Sequence, residues 1–257
     1  MTTTGKQLFS TLADGKLKVE VAEVEVPQPT GNQVLVRMEA APINPSDLAI
    51  LTGMADLENA EYSPGRFVAD MPEPFYSAQK GRHGQRLPVG NEGAGTVIGA
   101  GSSDAAQALM GKRVGMVGGD MYGEYRCVNV FMCLELEAGT TAAQGASCFV
   151  NPLTALAMIE TMRAENHTAL VHTAAASNLG QMLNRICIDE GIALVNIVRK
   201  ESQADLLRQL GSTHIVNSSA DDFMSQLRTA IDDTDAFYGF DPIGGGKSVD
   251  SVFKAME

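Results

Sequence analysis

The chain has 257 residues, of which 44% are hydrophobic and 19% charged, which is typical of a globular protein with one large or two ordinary domains. Its formal net charge is −12, from 19 basic and 31 acidic residues, and no block of basic residues occurs, so nucleic acids and anionic membranes are poor partners. The N-terminus lacks the charged start and long apolar stretch of a signal peptide, and no apolar run approaches a membrane span. We therefore expect a cytoplasmic protein.

Strands dominate the first third of the chain. Asp14 and Gly15 form a turn signal between two short runs, and residues 16–26 and 33–40 alternate polar with apolar side chains. Further strands are predicted within residues 87–101, where closely spaced glycines allow another backbone to approach, and within residues 111–130. Short strands separated by turns predict a compact antiparallel β-domain over residues 1–138.

Residues 41–86 interrupt this pattern. Pro42 and Pro45 hold the chain extended, and Ser46 or Asp47 can cap a short helix after them. Residues 54–86 have no clear period, and a connection of that length is either a lid over a substrate or an insertion without chemistry. In a lid, four aromatic side chains are available to cover an aromatic substrate: Tyr62, Phe67, Phe75 and Tyr76.

A helical pattern begins near residue 140 and continues to residue 162. It is broken at Pro152, and a proline fits the first turn of a new helix. Asn151 and Thr154 would then lie at a helix start, where amide and hydroxyl groups can meet a carboxamide. Simple helix capping is the other interpretation of Thr154.

Residues 168–200 predict a strand, a tight turn, a helix and a second, parallel strand. The apolar run 169–172 leads into small residues, Gly191 ends the helix, and the apolar run 192–198 follows. Such a βαβ unit points the amide N–H groups and the dipole of a helix N-terminus at the ends of the strands. This arrangement favours a pyrophosphate.

The turn of this unit carries a weak form of the dinucleotide fingerprint G-x-G-x-x-G. The pattern falls on Ala175, Ser177 and Gly180, so only its last glycine is literal. Arg199 ends the second strand where an NAD-binding fold places an acid for the ribose 2′-hydroxyl, and Lys200 follows it. Cations pair with a 2′-phosphate, which predicts NADPH rather than NADH; an ordinary basic strand end in water is the alternative.

Two more helices and two more strands follow, and the fourth strand of this region is predicted over residues 236–240. A flexible glycine turn comes next and leads to a helix that begins at Ser248. Lys247 and Ser248 do not form a phosphate loop, because G-x-x-x-x-G-K-[ST] requires glycine where Asp241 stands. A full dinucleotide-binding sheet has six strands, so we expect the domain at residues 139–257 to be incomplete, with its last strands missing.

The candidate metal ligands are too scattered to predict a metal site. The four cysteines match neither a zinc knuckle nor a C-x-x-C redox pair, and we expect them to be small apolar residues of a reduced protein: Cys127, Cys133, Cys148 and Cys187. The four histidines show no ligand spacing: His83, His167, His172 and His214. We expect His172, inside a predicted central strand, to be a core residue.

Five short motifs, in this order, resemble the medium-chain dehydrogenase/reductase superfamily on its zinc-free quinone oxidoreductase and enoyl thioester reductase side. They are NPSD at 44–47, GNEGAGTV at 90–97, YGEY at 122–125, NPLTA at 151–155 and the turn at 174–180. The resemblance implies a GroES-like antiparallel β substrate domain followed by a Rossmann doubly wound parallel sheet, with the active site in the cleft between them. It also implies NADPH as hydride donor and, in a full-length member, a homodimer.

By matching positions, the resemblance implies that Asn44 and Thr154 lie near the nicotinamide, that Ala175 to Gly180 lie under the pyrophosphate, and that Arg199 and Lys200 meet the adenosine phosphate. With these motifs, the set that we expect to bind the cofactor is Asn151, Thr173, Ala175, Ala176, Ser177, Asn178, Leu179, Gly180, Arg199, Lys200, Asn217 and Asp241. Zinc-dependent relatives carry a cysteine and a histidine where this chain has Asn44 and Asn91. Amides bind zinc poorly and Glu92 has no partner ligands, so we predict no metal.

One departure from the enoyl thioester reductases bears on the substrate. Their proton-donating or polarising tyrosine, two residues after the glycine that matches Gly53, is replaced by Ala55. Tyr62, Tyr76 or water would have to act instead, and quinone reduction is less demanding because solvent can protonate an aromatic product. We therefore expect hydride transfer to a quinone or an α,β-unsaturated carbonyl, with two alternatives: a 2-enoyl thioester reductase, and a non-catalytic NADPH-binding sensor or scaffold.

Overall fold

The computed structural model describes residues 3–257, and the chain divides into two compact units, Met1–Val150 and Asn151–Glu257. The domain boundary predicted between residues 138 and 139 precedes a short helix, Ala142–Gly145, that packs on the first unit. Ala142 and Ala146 are buried there against Ala94 of a β-strand. This packing assigns the segment to the first unit.

Within residues 3–150 the first unit is built from strands with four short helices between them. The strands are β1 (Thr4–Ala13), β2 (Lys16–Glu25), β3 (Gln33–Ala40), β4 (Glu61–Ser63), β5 (Arg66–Asp70), β6 (Arg86–Pro88), β7 (Glu92–Ala100), β8 (Arg113–Val117), β9 (Tyr125–Asn129) and β10 (Cys133–Glu135). The helices are α1 (Pro45–Leu51), α2 (Glu73–Ala78), α3 (Asp104–Ala108) and α4 (Ala142–Gly145).

These strands form two antiparallel sheets, in the orders β4-β5-β2-β1-β6 and β10-β8-β7-β3-β9. The predicted turn between β1 and β2 is confirmed: Asp14 and Gly15 have φ of 52° and 72°, the backbone that a two-residue hairpin turn requires. The predicted close approach at Gly95 is also confirmed, because a Cβ there would overlap the carbonyl group of Arg37 on β3. The prediction of an antiparallel β-domain is therefore confirmed.

Residues 54–86 contain more regular structure than their sequence indicates. β4 and β5 form a hairpin through Gly65, whose φ is 72°, and β5 pairs with β2 in the first sheet. Helix α2 and one turn of 3₁₀ helix at Lys80–Arg82 complete the segment. The prediction of an irregular connection is wrong, because a strand of three residues is too short to show a period of two.

The second unit is a parallel sheet with helices. It contains α5 (Val150–Ala164), which starts at the unit boundary, then β11 (Ala169–His172), α6 (Asn178–Glu190), β12 (Ala193–Val198), α7 (Glu201–Gln209), β13 (His214–Asn217), α8 (Phe223–Thr234), β14 (Gly239–Phe240) and α9 (Lys247–Met256). The strand order is β13-β12-β11-β14, and every pair is parallel. The prediction of a parallel sheet of four strands alternating with helices is confirmed.

Both faces of this sheet are covered by helices, as a parallel sheet requires. Val171, Val195 and Val216 pack with residues of α8 and α9, whereas Leu170 and Leu194 pack with residues of α5 and α6. The side chains of β11 therefore alternate between two apolar layers. His172, on the same face as Leu170, is fully buried, so its predicted place in the core is confirmed.

One segment of residues 3–257, Ala142–Ala164, is long and apolar enough to cross a membrane by length and composition alone, with a mean hydropathy of 1.2. The expectation that no apolar run approaches a span is wrong on these two criteria. The reason is that alanine and methionine raise the mean without forming an uninterrupted apolar run. In the structure the segment is divided between α4 and α5, and α5 buries Ala155, Met158, Ile159 and Met162 in a core cluster.

Candidate nucleotide-binding and active site

The turn between β11 and α6 has the geometry of a phosphate-binding helix start. Ser177 is the N-cap of α6, and its Oγ accepts a hydrogen bond from the backbone N–H of Gly180 at 3.1 Å. The first N–H groups of a helix have no partner within it, so those of Asn178 and Leu179 are available to an anion. The serine in place of the second fingerprint glycine thus acts as the cap.

The literal glycine of the fingerprint is required by packing. A Cβ at position 180 would overlap the backbone of Ala175, which is fully buried beneath the helix start. Ala174, just before it, adopts a φ of 50°, which residues other than glycine, asparagine and aspartate seldom do. The turn is therefore as tight as in a dinucleotide-binding fold, with small side chains at its other positions.

A pocket of about 750 Å³ opens beside this turn. One wall consists of residues 174–177, a second of the end of β12 from Ile197 to Arg199, and a third of Lys247, Ser248 and Ser251 at the start of α9. Phe223 and Ile243 add apolar surface. The volume and the mixed lining suit a large polar ligand that has one flat apolar ring.

The basic side chains of this pocket have no acidic partners. Within residues 3–257, neither Arg199 nor Lys247 forms an ion pair, although the protein as a whole has a net charge of −12. The backbone N–H groups of Arg199 and Lys200 both donate to Oε1 of Gln203, at 3.0 and 3.1 Å, which fixes the chain beyond β12. Lys200 is exposed and does not line the pocket.

Three further residues that we expected to bind the cofactor are occupied by contacts within the protein. The carboxylate of Asp241 accepts hydrogen bonds from the N–H groups of Ile243, Gly244 and Gly245, at 3.2, 3.0 and 2.7 Å, and from the hydroxyl of Thr173. At the end of β13, Oδ1 of Asn217 accepts from the N–H of Ser219 and its Nδ2 donates to Glu201. Their roles toward a cofactor stay predictions.

The contacts of Asp241 explain why the GGGKS sequence is no phosphate loop. Burial on its own would raise the pKa of Asp241, but the hydrogen bonds from Gly245, from Thr173 and from the other loop amides hold that pKa below its usual value. The ionised carboxylate thus fills the ring of amide groups in which a phosphate loop would hold its phosphate. These loop N–H groups are therefore bonded to the carboxylate of Asp241 and are not available to a phosphate.

In the first unit, Asn44 lies in a buried hydrogen-bond network at the start of α1. Its side-chain Nδ2 donates to Oε1 of Glu92 at 2.9 Å, and its backbone N–H donates to Oδ2 of Asp47 at 2.8 Å. Asn44, Asp47 and Glu92 are 4%, 2% and 0% exposed. The second oxygen of Glu92 accepts from the N–H groups of Phe149 and Val150, at 3.0 and 2.9 Å, where α5 begins.

Asp47 connects α1 to the strand that carries Glu92. Its Oδ1 accepts from the backbone N–H of Asn91 at 3.0 Å, and the Asn91 side chain donates to Ser46 Oγ at 2.8 Å. The hydroxyl of Tyr122 donates to the carbonyl of Pro42 at 2.8 Å. Burial, with the negative charges of Asp47 and Glu92, raises the pKa of Tyr122, so this hydroxyl stays protonated.

The other candidate catalytic residues have these positions. Asn151 is half-buried and Thr154 is exposed, and they are the second and the fifth residue of α5. Tyr62 is 67% exposed on β4, and its hydroxyl donates to the carbonyl of Leu57 at 3.0 Å. Tyr76 stacks on His83 with ring centres 3.9 Å apart. Their catalytic roles stay predictions.

Within residues 3–257 there is no group of three or more His, Cys, Asp and Glu side chains that could hold a metal ion. The cysteines are unpaired, and burial raises the pKa of each thiol, to about 11 for Cys133 and about 12 for Cys187. Burial also lowers the pKa of His172 to about 4, and neither ring nitrogen has a hydrogen-bond partner. His172 is therefore neutral at pH 7.

Sequence reasoning missed two features of these sites. Glu92 was weighed only as a metal ligand, although an acidic residue at the start of a glycine-rich apolar strand is itself a signal that the charge has a buried partner. Lys247 follows the incomplete phosphate-loop sequence, yet it lines the same pocket as Arg199.

No protein-family model matches the chain. Among curated proteins, the mitochondrial enoyl-acyl-carrier-protein reductase of Bos taurus is 28% identical over 77% of this chain and 48% of its own length. Among solved structures, a putative NADPH:quinone reductase from Mesorhizobium loti matches 100% of this chain and 72% of its own chain, with a TM-score of 0.74 and 27% identity. These similarities support the resemblance of the chain to the medium-chain dehydrogenase/reductase superfamily.

The similar proteins include quinone reductases and enoyl reductases, the side of the superfamily to which the five motifs point. The structure of mycobacterial Rv1454c complexed with NADPH has the same fold, with a TM-score of 0.69 and 16% identity over 98% of this chain and 70% of its own. The chain spans about half the length of the curated relatives that it matches.

Proposed function

We propose that the chain is an NADPH-dependent, zinc-independent oxidoreductase that transfers hydride to a quinone or an α,β-unsaturated carbonyl. The observation that carries this proposal is the pocket beside the α6 N-terminus, in which Arg199 lies free of any ion pair within residues 3–257. The match to the putative NADPH:quinone reductase of Mesorhizobium loti supports it.

The residues present fit NADPH at both of its phosphate groups. The small turn at 174–177 lets a pyrophosphate reach the N–H groups of Asn178 and Leu179. Arg199 would pair with the 2′-phosphate, and Phe223 and Ile243 would cover the adenine. When bound, NADPH would supply the hydride; the chain's own residues bind the nucleotide and orient its reacting end.

The hydrogen bonds of the Tyr62 and Tyr122 hydroxyl groups favour an acceptor that needs little help from a protein acid. The protons of Tyr62 and Tyr122 are donated to backbone carbonyls, and Ala55 replaces the tyrosine of the enoyl thioester reductases. A quinone that takes up a hydride needs one further proton, and solvent can deliver it to the hydroquinone oxygen. We therefore place quinones and enones ahead of enoyl thioesters.

The test is a fluorescence titration of the purified chain with NADPH and NADH, for the wild type and Arg199→Ala. Loss of a charge-assisted contact to the 2′-phosphate should weaken NADPH binding roughly 10- to 100-fold and leave NADH binding within about twofold. Arg185→Ala is the matched control, because it removes an exposed cation of α6 that does not line the pocket. Equal effects of both substitutions, or equal effects on both nucleotides, would refute the 2′-phosphate assignment.

The same preparation separates the alternatives. An enoyl thioester reductase, which the match to the Bos taurus protein favours, would oxidise NADPH faster with crotonyl thioester than with quinones. A non-catalytic sensor or scaffold would be protected against heat by NADPH and would consume none with any acceptor. We expect oxidation with quinones or enones.

A further inference from the structure

A glycine-rich loop joins the sheet of the second unit to the third wall of its nucleotide pocket. Residues 241–246 run from the end of β14 to the start of α9. Ile243 of this loop and Lys247 of α9 both line the pocket. Three consecutive loop residues have φ between 79° and 101°, a backbone that glycine adopts readily and other residues seldom do: Gly244, Gly245 and Gly246. Because glycine also has the greatest backbone freedom in an unrestrained chain, the sequence of the loop does not by itself fix this wall.

The carboxylate of Asp241 fixes the loop to the sheet. Its Oδ1 accepts from the hydroxyl of Thr173 and from the N–H of Ile243, and its Oδ2 accepts from the N–H groups of Gly244 and Gly245. Thr173 directly follows β11 and is 2% exposed, so the loop is held by a residue of the core. Four donors occupy the four acceptor positions of a carboxylate. Any effect of Asp241 on a ligand must therefore act through the loop.

Lys247 is the charged residue whose place depends on this loop. It is the first residue of α9, where the helix dipole disfavours a cation, and within residues 3–257 it has no acidic partner. The fold alone gives no advantage to a lysine at this position. An anionic ligand in the pocket that Lys247 shares with Arg199 would give one.

We propose that Asp241 is a positioning residue, which holds residues 242–246 so that Lys247 can pair with a phosphate group at the adenosine end of the cofactor. This inference rests on the proposed function. Without the carboxylate, the loop would have to be ordered when the nucleotide binds, and the lost backbone freedom would reduce the affinity. The structure thus has this ordering completed before the ligand arrives.

Asp241→Ala distinguishes positioning from simple electrostatics by the sign of its effect. The substitution removes a negative charge from the unit that binds an anion, and it releases the N–H groups of Gly244 and Gly245. Coulomb attraction and the released donors would both strengthen the binding of a phosphate. Loss of positioning would weaken it. Binding that is unchanged or tighter in Asp241→Ala therefore overturns the proposal.

A double-mutant cycle shows whether the effect passes through Lys247. The ligand is adenosine 2′,5′-bisphosphate, and its affinity is measured by calorimetry for the wild type, Asp241→Ala, Lys247→Ala and the double variant. Each single substitution should weaken binding about 10-fold, and the double variant should be only about 10- to 20-fold weaker than the wild type. Independent effects would multiply to about 100-fold. That result would give Asp241 a role unconnected with Lys247 and would overturn the proposal.

Two variants separate positioning from a loss of stability. Ile231→Val shortens a fully buried side chain of α8 that does not line the pocket, so it should destabilise the unit and change bisphosphate affinity by less than about twofold. If Asp241→Ala lacks a cooperative thermal transition, Thr173→Val replaces it, because it removes one of the four donors and no charge. It should weaken binding about threefold, and only when Lys247 is present. Unchanged affinity in Thr173→Val, or equal weakening by Ile231→Val, would overturn the proposal.

The bisphosphate has no nicotinamide, so the cycle is independent of hydride transfer. An additive cycle overturns the role of Asp241 and leaves the proposed function in place. A non-additive cycle, in a chain that oxidises no NADPH with quinones or enones, supports the role of Asp241 and contradicts the proposed function. A wild-type chain that binds no bisphosphate contradicts both.

Discussion

Replacing Asp241 by alanine should destabilise the second unit by an amount that follows from its contacts. The carboxylate accepts from three loop amides and from the hydroxyl of Thr173. Ile243 and Gly244 are exposed, so water can replace the carboxylate at their N–H groups. Thr173 is 2% exposed, and its hydroxyl would lose its partner in the interior. The expected loss is about 2 kcal/mol of unfolding free energy at pH 7, mostly from Thr173.

The pH dependence of this loss has a definite sign. The folded-state pKa of Asp241 lies below its ordinary value of 3.8, so the carboxylate stabilises the folded state above that pH. The contribution falls as the pH drops below about 4 and the group becomes protonated in the folded state as well. The difference between wild type and Asp241→Ala should therefore be largest near pH 7 and smaller at pH 3.

Urea unfolding at pH 7 and pH 3 measures both quantities. Asp232→Ala is the matched control, because it removes one exposed negative charge from α8 and should change stability by less than about 0.5 kcal/mol. Equal stabilities of Asp241→Ala and the control at pH 7 would show that the loop amides and Thr173 do not depend on the carboxylate. A difference of the same size at pH 3 would refute the assignment of the effect to the ionised form.

Two other predictions concern the same unit. Ser177→Ala removes the N-cap of α6 and should lower the unfolding free energy by about 1 kcal/mol, as measured in urea with Ser251→Ala, a serine inside α9, as control. His172 has a folded-state pKa of about 4, below the ordinary 6.5, so the unfolded chain takes up its proton first as the pH falls. The wild type should lose up to about 3 kcal/mol between pH 6.5 and pH 4 relative to His172→Leu, and parallel pH profiles of the two proteins would contradict this.

The parts of the fold that depend on neighbouring residues could be predicted from sequence. The turn of the β1–β2 hairpin is specified by two adjacent residues, Asp14 and Gly15. The βαβ unit is specified by the spacing of apolar residues within one segment, with a period of two in strands and 3.6 in a helix. The hairpin β4–β5 escaped prediction because β4 is three residues long and is held by pairing with distant β2. The strands of that segment therefore depend on pairing with a distant strand and not on the local preferences of their residues.

The candidate site divides in the same way. The nucleotide turn lies within a few residues of chain, so a fingerprint can recognise it. The network at Glu92 joins positions separated by 48 residues from Asn44 and by 57 and 58 residues from Phe149 and Val150, and no local pattern encodes such contacts. The hydrogen bonds from the loop amides to Asp241 could not be predicted either, because the same residues in another loop conformation would leave those N–H groups unbonded.

The buried thiols have a consequence for the chemistry that we propose. Quinones and enones are electrophiles that add to thiolates, so an enzyme that turns them over is exposed to alkylation by its own substrates. A thiol with a pKa of about 11, as at Cys133, is ionised in only about one molecule in ten thousand at pH 7. Cys187 is ionised less still, and burial raises the pKa of Cys127 and Cys148 in the same direction. The chain therefore offers reactive acceptors almost no nucleophilic sulfur.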